Sequence, residues 1–240
     1  MTKERTMSVH LRGRAPRRHT LHRNITTFKE YIADQDPHIH QLLNDVDLSD
    51  TTARALSDMS YATQDLHTGT DSGLLNDVRT FGFIWGDLAT RTNITKGKGH
   101  VTSEASNTSL AHTELCGIFA SLTYLHLIMA YFHMVVPKNG MTCTVHCDIR
   151  AALQRVQNIS YTGCGTTWRC RANYNLEKAI KFCLGDLPVR IHWEWVQGHA
   201  SRRKQPHDFA WPDELNEEAN TMVTEARLKS ATSNKSHWLD

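Results

Sequence analysis

The sequence predicts an α/β fold in which a mixed five-stranded sheet is flanked by helices. Three strand-like patterns come first along the chain, and a long apolar helix, a strand, further helices and a last strand follow them. Strands joined by short connections pair antiparallel, whereas strands separated by helices pair in parallel, so we expect both kinds of pairing in one sheet. The 240 residues, of which 40% are hydrophobic, suffice for one ordinary core.

Hydrophobic periodicity sets the bounds of the predicted elements. Strands are predicted at 53–61, 78–87, 98–104, 141–147 and 189–195, and helices at 110–134, 149–158, 174–184 and 211–228. Asn107, Thr108 and Ser109 are candidate N-caps of the long helix. The segment 62–77 is rich in glycine and small polar residues, which favours a hairpin connection between the first two strands.

The domain organisation is predicted in three parts. Residues 1–52 form a basic N-terminal arm with a short helical segment, residues 53–228 form the main domain, and residues 229–240 form a polar tail. The arm carries a cluster of basic residues against the single acidic residue Glu4: Lys3, Arg5, Arg12, Arg14, Arg17, Arg18 and Arg23. Such a cluster either follows a phosphate backbone or is a solvated, disordered arm.

The composition disfavours several classes of protein. No apolar run reaches the roughly 18 residues that a membrane span needs, so no membrane partner is expected. The N-terminus lacks the apolar region of a secretory signal, and we expect an intracellular protein, in the nucleus or cytoplasm rather than the mitochondrion. The six cysteines lack the spacing of a zinc site and the context of a disulfide framework, so reduced thiols are expected.

Three carboxylates in separate predicted elements are candidates for a metal site. Asp58 lies in the first strand, Glu114 in the first half of the long helix, and Asp148 directly after the fourth strand. Brought together, they would repel one another unless a divalent cation neutralised them, and such hard oxygen ligands favour Mg2+ or Mn2+. Sites of this kind serve phosphoryl transfer.

Five segments that include these residues resemble motifs of type-1 ribonuclease H, particularly the divergent versions associated with eukaryotic retroelement reverse transcriptases. The segments are SDMSY (57–61), HTELCGIFASL (112–122), VHCDIRAAL (145–153), WVQGHA (195–200) and LNEEAN (215–220). They occur in the family's order over most of the chain. The resemblance implies a ribonuclease H-like fold, cleavage of the RNA strand of RNA/DNA hybrids, and a reverse transcriptase domain as a candidate partner.

The resemblance also implies roles for individual residues. The residues implied in catalysis are Asp58, Glu114, Asp148, His199 and Asn220, and the first three of them hold the two Mg2+ or Mn2+ ions. Those implied in substrate binding are Ser60, Asn216 and the basic run Arg202, Arg203 and Lys204. His199 is expected in a loop beside the carboxylates, where it assists proton movement or product release.

Three features depart from the family's pattern. Met59 stands where the family has glycine, the segment 201–214 is lengthened, and Asn220 stands where the family has a fourth carboxylate. An amide brings no negative charge, and Glu217, one helical turn earlier, is an alternative carboxylate. The alternative function is a catalytically degenerate domain that binds nucleic acid or a polymerase partner without cutting. A related nuclease or integrase of the same broad fold is a third interpretation.

Overall fold

The chain is described from a computed structural model, which covers residues 25–75, 78–101, 109–136, 140–161 and 174–236. The strands are β1 (Asp45–Val46), β2 (Asp65–Leu75), β3 (Val78–Asp87), β4 (Thr92–His100), β5 (Thr142–Cys147) and β6 (Arg190–Trp195). The helices are α1 (Phe28–Ala33), α2 (Pro37–Leu42), α3 (Asp50–Thr63), α4 (Leu110–Tyr131), α5 (Arg150–Tyr161), α6 (Tyr174–Asp186) and α7 (Trp211–Ser236). Two 3-10 turns, Ala200–Arg202 and Pro206–Asp208, lie between β6 and α7.

The described strands form one mixed sheet in the order β1-β4-β3-β2-β5-β6. β2, β3 and β4 pair antiparallel as a meander, and β5 and β6 join β2 in parallel after helical connections. The predicted class, an α/β fold with a mixed sheet flanked by helices, is confirmed. The two-residue strand β1, which the sequence analysis did not predict, adds a sixth strand beside β4.

Two helices cover the faces of β2 and β3. α4 lies on one face and buries Leu115, Ile118 and Leu122 in the main core. α7 crosses the other face, where Leu215 packs with Ile84 and three further buried residues. β2 therefore lies between two helices and between two strands, at the centre of the fold.

Glycine residues of β2 permit the close approach of α7. A Cβ atom at Gly69 would lie 2.7 Å from Cβ of Leu215, and one at Gly73 would lie 2.7 Å from Cγ1 of Val223. Since real Cβ atoms do not approach other carbon atoms so closely, the helix needs glycine at both positions to pack against this strand. The same closeness brings residues of α7 to the part of β2 that carries the candidate site.

The predicted long helix is confirmed as α4. Its N-cap is Ser109, whose hydroxyl accepts a hydrogen bond from the backbone N–H of His112 at 3.3 Å, while Asn107 and Thr108 lie outside the described residues. By length and composition it is the one described helix that could cross a membrane. However, 78% of its apolar window is buried inside the fold, as expected of a core helix.

Two of the predicted elements are wrong. The predicted strand at 53–61 is part of α3, because Ala53, Leu56 and Ser60 are buried at helical spacing and Ser49 caps the first turn. The predicted hairpin connection at 62–77 contains β2, the central strand. Its small and polar residues are accommodated because the packing of α7, rather than strand propensity, determines which residues fit there.

The remaining predictions differ only at their ends. The strand expected at 98–104 runs from Thr92 to His100, and the last helix continues to Ser236 instead of ending at residue 228. Phe28, Ile32 and Leu43, from the short helical segment predicted after the basic arm, are buried in the main core. The predicted division into three parts stays a prediction, and the basic cluster of residues 3–23 lies outside the described residues.

Candidate active site

Three carboxylates from separate elements meet where the parallel pairing of β2 with β5 ends. Asp71 lies on β2, Glu114 on α4 and Asp148 directly after β5. Because Thr70 and Cys147 are register partners in the parallel pair β2–β5, Asp71 and Asp148 follow them side by side. Asp71 and Glu114 are buried, with 5% and 0% of their surfaces exposed, and Asp148 is half-buried.

The structure replaces Asp58 with Asp71 in the candidate site. Asp58 lies on α3 with its side chain exposed, on the side of the helix that faces away from the core. The prediction that it lies in the first strand beside Glu114 and Asp148 is therefore wrong. Ser60 is also wrongly placed as a substrate contact, because it is fully buried and donates a hydrogen bond to the carbonyl oxygen of Leu56 at 2.6 Å.

Hydrogen bonds fix β2 and α4 around the carboxylates. The Thr70 hydroxyl donates to Oε1 of Glu114 at 2.5 Å, and the backbone N–H of Ser72 donates to Oδ1 of Asp71 at 2.7 Å. Asn216 of α7 donates from Nδ2 to the carbonyl oxygen of Thr70 at 3.2 Å. Asn216 is buried, so the structure assigns it to holding β2 against α7 rather than to the predicted contact with substrate.

Burial and mutual repulsion perturb all three carboxylates. Burial, and then the neighbouring Glu114 and Asp148, raise the pKa of Asp71 to about 8. Burial raises the pKa of Glu114 to about 7, against the hydrogen bond from Thr70, and burial also raises the pKa of Asp148. The carboxylates are thus held together at a cost that a cation would remove.

Two oxygen atoms of the cluster have no protein partner. Oε2 of Glu114 and Oδ1 of Asp148 are buried and accept no hydrogen bond. A buried acceptor without a partner is costly unless another group supplies the missing interaction. Hard carboxylate oxygens around a small space suit Mg2+ or Mn2+, so the residues present fit the expected metal.

The raised pKa values predict how the stability of the metal-free protein depends on pH. The folded protein keeps protons on Asp71 and Glu114 up to pH 7–8, whereas these groups ordinarily titrate at 3.8 and 4.5. The free energy of unfolding should therefore fall as pH rises from about 4 to about 8. The buried His126 and His146 have pKa values lowered from 6.5 by burial, so their contribution, which has the opposite sign, fades above that pH, and the window from 6.5 to 8.5 reports mainly on the carboxylates.

We expect the metal-free protein to lose about 1–2 kcal/mol of stability across this window, measured by thermal unfolding in a chelator. Asp71→Asn should reduce the loss, because it removes the carboxyl group with the highest of these pKa values. Magnesium should stabilise the parent more at pH 8.5 than at pH 6.5. Equal losses in the parent and the variant would show that the carboxylates do not cause the dependence.

The loop after β6 brings His199 to Asp148. His199 is exposed, has a left-handed backbone (φ 55°, ψ 51°), and lowers the pKa of Asp148 against the larger effect of burial. Arg203 holds this loop by donating to the carbonyl oxygens of Gln197 at 2.7 Å and Gly198 at 3.1 Å. The predicted position of His199 next to the carboxylates agrees with this geometry, and its role in proton movement remains a proposal.

Gly198 is needed where the loop passes Asp148. A Cβ atom at Gly198 would collide with the Oδ2 atom of Asp148. We expect Gly198→Ala to displace this carboxylate and to lower the rate of the proposed cleavage about a hundredfold. Gly185→Ala is the matched control, because a Cβ atom at Gly185 has no neighbour within 4 Å and the site is remote. A Gly198→Ala protein with the parent's rate and metal requirement would count against the placement of Asp148.

The structure divides the predicted basic run into two kinds of residue. Arg203 is engaged in the loop, and Lys204 donates to Oδ2 of Asp213 at 2.7 Å, which also accepts from the backbone N–H of Ala210. Arg202 is exposed at the end of the first 3-10 turn. Of the three, Arg202 is thus the residue whose charge the structure leaves available to a phosphate.

α7 brings a fourth carboxylate near the cluster. Glu217 raises the pKa of Asp148, and its two oxygens accept hydrogen bonds from the backbone and hydroxyl of Ser201 at 2.9 and 3.0 Å. Asn220 is half-buried one turn further along α7, and its side chain makes no hydrogen bond in the described part of the chain. The negative charge nearest to Asp148 on this helix is therefore that of Glu217.

Sequence reasoning missed Asp71 altogether. The available signal was the run Thr70–Gly73, an aspartate followed by serine and glycine just before the aromatic strand at 78–87. That run instead predicts a turn, because Asp, Ser and Gly are common in turns. The sequence does predict Glu217, as the carboxylate that could take the place of Asn220.

The comparisons with known proteins give structural likeness without sequence relatives. No protein-family model matches the chain, and no curated protein matches it. Similar solved structures include LC11-RNase H1 in complex with an RNA/DNA hybrid, which is 13% identical to this chain. The alignment covers 67% of this chain and 98% of LC11-RNase H1, with a TM-score of 0.43. RNase H1 from the archaeon Halobacterium salinarum is 12% identical, and its alignment covers 65% of this chain and 98% of the archaeal protein, with a TM-score of 0.40. The protease-reverse transcriptase of prototype foamy virus is 12% identical, and its alignment covers 67% of this chain and 20% of the viral protein, with a TM-score of 0.43.

Proposed function

We propose that the chain is a metal-dependent endoribonuclease that cleaves the RNA strand of RNA/DNA hybrids. The observation that carries the proposal is the cluster of Asp71, Glu114 and Asp148, which are packed together with raised pKa values and unpartnered buried oxygens. Such a cluster is costly for a protein that binds no cation. The motif-like segments around Glu114, Asp148 and His199 support the same proposal from the sequence.

Asp71, Glu114 and Asp148 would hold two Mg2+ or Mn2+ ions, with Glu217 beside Asp148. When bound, these ions supply the activation of a water molecule and the stabilisation of the departing 3′ oxygen. The protein's own contribution is positioning: Thr70 orients Glu114, and the backbone of Ser72 orients Asp71. Because these contacts are made within the protein, the carboxylates need little rearrangement to bind the ions.

His199 is the candidate for proton movement at this site. Its side chain is exposed beside Asp148, and its backbone conformation directs the loop back towards α7. From this position it can accept a proton from the attacking water or donate one to the departing oxygen. Recognition of the hybrid would rest on its shape and on the 2′-hydroxyls of the RNA strand, so we expect no sequence specificity.

The direct test uses an RNA/DNA hybrid with a separate label on each strand. The purified chain should shorten the RNA strand when magnesium or manganese is present and leave it intact in a chelator, while the DNA strand and duplex DNA stay intact. Asp148→Asn should remove the activity and keep the fold. Absence of cleavage at every concentration of either metal, by a folded protein, would overturn the proposal.

A non-cutting, hybrid-binding domain is the second candidate function. It is favoured by Asn220, which brings no charge to the position where the resemblance expects a fourth carboxylate. Under this alternative the protein retains the labelled hybrid on a filter without shortening either strand.

The proposed nuclease function includes a retroelement origin and a reverse transcriptase domain as partner. Both rest on the motif-like segments of the sequence.

Arg202 is expected to contact a phosphate of the bound hybrid. In a non-cleaving Asp148→Asn background, Arg202→Ala should reduce the slope of log affinity against log salt by about 0.9, the value for one phosphate contact on a duplex. Arg202→Lys, which keeps the charge, is the control and should keep the slope. The Lys204→Ala slope should change less, since Lys204 already pairs with Asp213. An unchanged slope in Arg202→Ala would make this residue part of the solvated surface.

A further inference from the structure

A thiol lies among the carboxylates of the candidate site. Cys147 is the last residue of β5 and directly precedes Asp148. The ligand atoms of Glu114, Cys147 and Asp148 all lie within 4.8 Å of one another. Cys143, four residues earlier on the same face of β5, is equally buried but belongs to no such group in the described part of the chain.

One oxygen of the carboxylate beside this thiol lacks a hydrogen-bond partner. Glu114 is fully buried, and its Oε2 atom accepts no hydrogen bond. Oδ1 of Asp148 is likewise buried without a partner. The space between the three side chains thus has two acceptor oxygens that require a donor or a cation, and a sulfur atom that can serve as a third ligand.

The mixed donor set favours a different metal from the carboxylates alone. Magnesium and manganese prefer oxygen and gain nothing from sulfur, whereas zinc binds thiolate and carboxylate together at one centre. We propose that Glu114, Cys147 and Asp148 form a binding site for a thiophilic divalent cation of the zinc type. Binding replaces the S–H bond of Cys147 with a sulfur–metal bond and releases one proton to solvent, with no change in oxidation state.

Such a cation would compete with magnesium for the same carboxylates. Zinc bound to Glu114 and Asp148 occupies two of the three groups that the proposed function needs. It should therefore inhibit cleavage of the hybrid, and this consequence rests on the proposed function. The binding of zinc itself does not rest on it and can be measured without a substrate.

Cobalt is the probe for the binding, because Co2+ reports bound thiolate by a sulfur-to-metal absorption band. The purified full chain should develop this band with Co2+ and lose it when Zn2+ is added. Cys147→Ser should lack the part of the band that comes from the Cys147 thiolate, whereas Cys143→Ser should keep it. The affinity of Cys147→Ser for zinc should fall roughly tenfold or more. Glu114→Gln, which leaves all six thiols in place, should weaken cobalt binding by a similar factor.

The outcomes separate this site from the proposed nuclease. A cobalt band of the same intensity in Cys147→Ser, or unchanged affinity in Glu114→Gln, would overturn the inference. If zinc binds as expected but the parent cuts no hybrid, the metal site stands and the proposed function fails. If the parent cuts, the inhibition by zinc is expressed for each protein as a fraction of its own rate with magnesium. This fraction should be larger in the parent and in Cys143→Ser than in Cys147→Ser.

Discussion

Asp71→Asn is expected to abolish cleavage of the RNA/DNA hybrid, whereas Asp58→Asn should cleave at the parent's rate. Asp71 is buried close enough to Glu114 and Asp148 for both to raise its pKa, so its charge would contribute directly to holding divalent cations in the proposed site. Asp58 is exposed on α3, away from the core. Losing one carboxylate from a two-metal site should lower the initial rate about a thousandfold or more at saturating substrate.

The pair of variants is a matched comparison, because each exchanges one aspartate for asparagine. Thermal unfolding provides the control for folding. Asp71→Asn should be at least as stable as the parent in a chelator at pH 8.5, since the substitution removes repulsion from the buried cluster. If Asp58→Asn were inactive and Asp71→Asn active, the assignment made from the sequence would be right and the site described by the structure would be wrong.

Glu114 and Asp148 could be predicted from the sequence because strong local signals surround them. Glu114 lies in an apolar helix of 22 residues, most of which are buried, and Asp148 follows a strand in which Cys143, Val145 and Cys147 are buried at alternate positions. Each signal is local, since it depends only on residues within the element itself. The same holds for His199, whose loop follows the alternating residues of β6.

Asp71 could not be found in this way because the reasons for β2 lie outside β2. Gly69 and Gly73 are required by the approach of Leu215 and Val223, which are about 150 residues away along the chain. Without knowledge of that contact, glycine, serine and aspartate favour a turn. The amphipathic α3 added to the error, because its pattern around Leu56 was interpreted as a strand.

Tertiary contacts also determine which basic and polar residues are available to a substrate. Arg203, Lys204 and Asn216 have the residue types of a nucleic-acid interface, yet each contacts the protein itself. A side chain in an intramolecular ion pair or hydrogen bond must break that contact before it can bind a phosphate. A count of basic residues in the sequence therefore overestimates the substrate contacts.

Glu217→Gln is expected to raise the magnesium concentration needed for half-maximal cleavage and to lower the rate at limiting magnesium about a hundredfold. The reason is electrostatic: Glu217 faces Asp148 closely enough to raise its pKa, so it adds negative charge where a cation would bind. Asn220→Asp should change the magnesium requirement little, because the side chain of Asn220 makes no hydrogen bond to the carboxylates in the described part of the chain. Magnesium titrations of cleavage by the parent and both variants measure these effects.

Ser201→Ala distinguishes the charge of Glu217 from its structural contacts. The substitution removes the hydrogen bond from the serine hydroxyl to Oε2 of Glu217 and keeps the one from the backbone N–H to Oε1, so it loosens the carboxylate while keeping the negative charge. We expect a smaller effect than in Glu217→Gln, and we expect manganese, which binds the same ligands more tightly, to rescue Glu217→Gln in part. If Asn220→Asp instead lowers the magnesium requirement while Glu217→Gln leaves it unchanged, the fourth position of the site belongs to residue 220, and its missing carboxylate is what limits the enzyme.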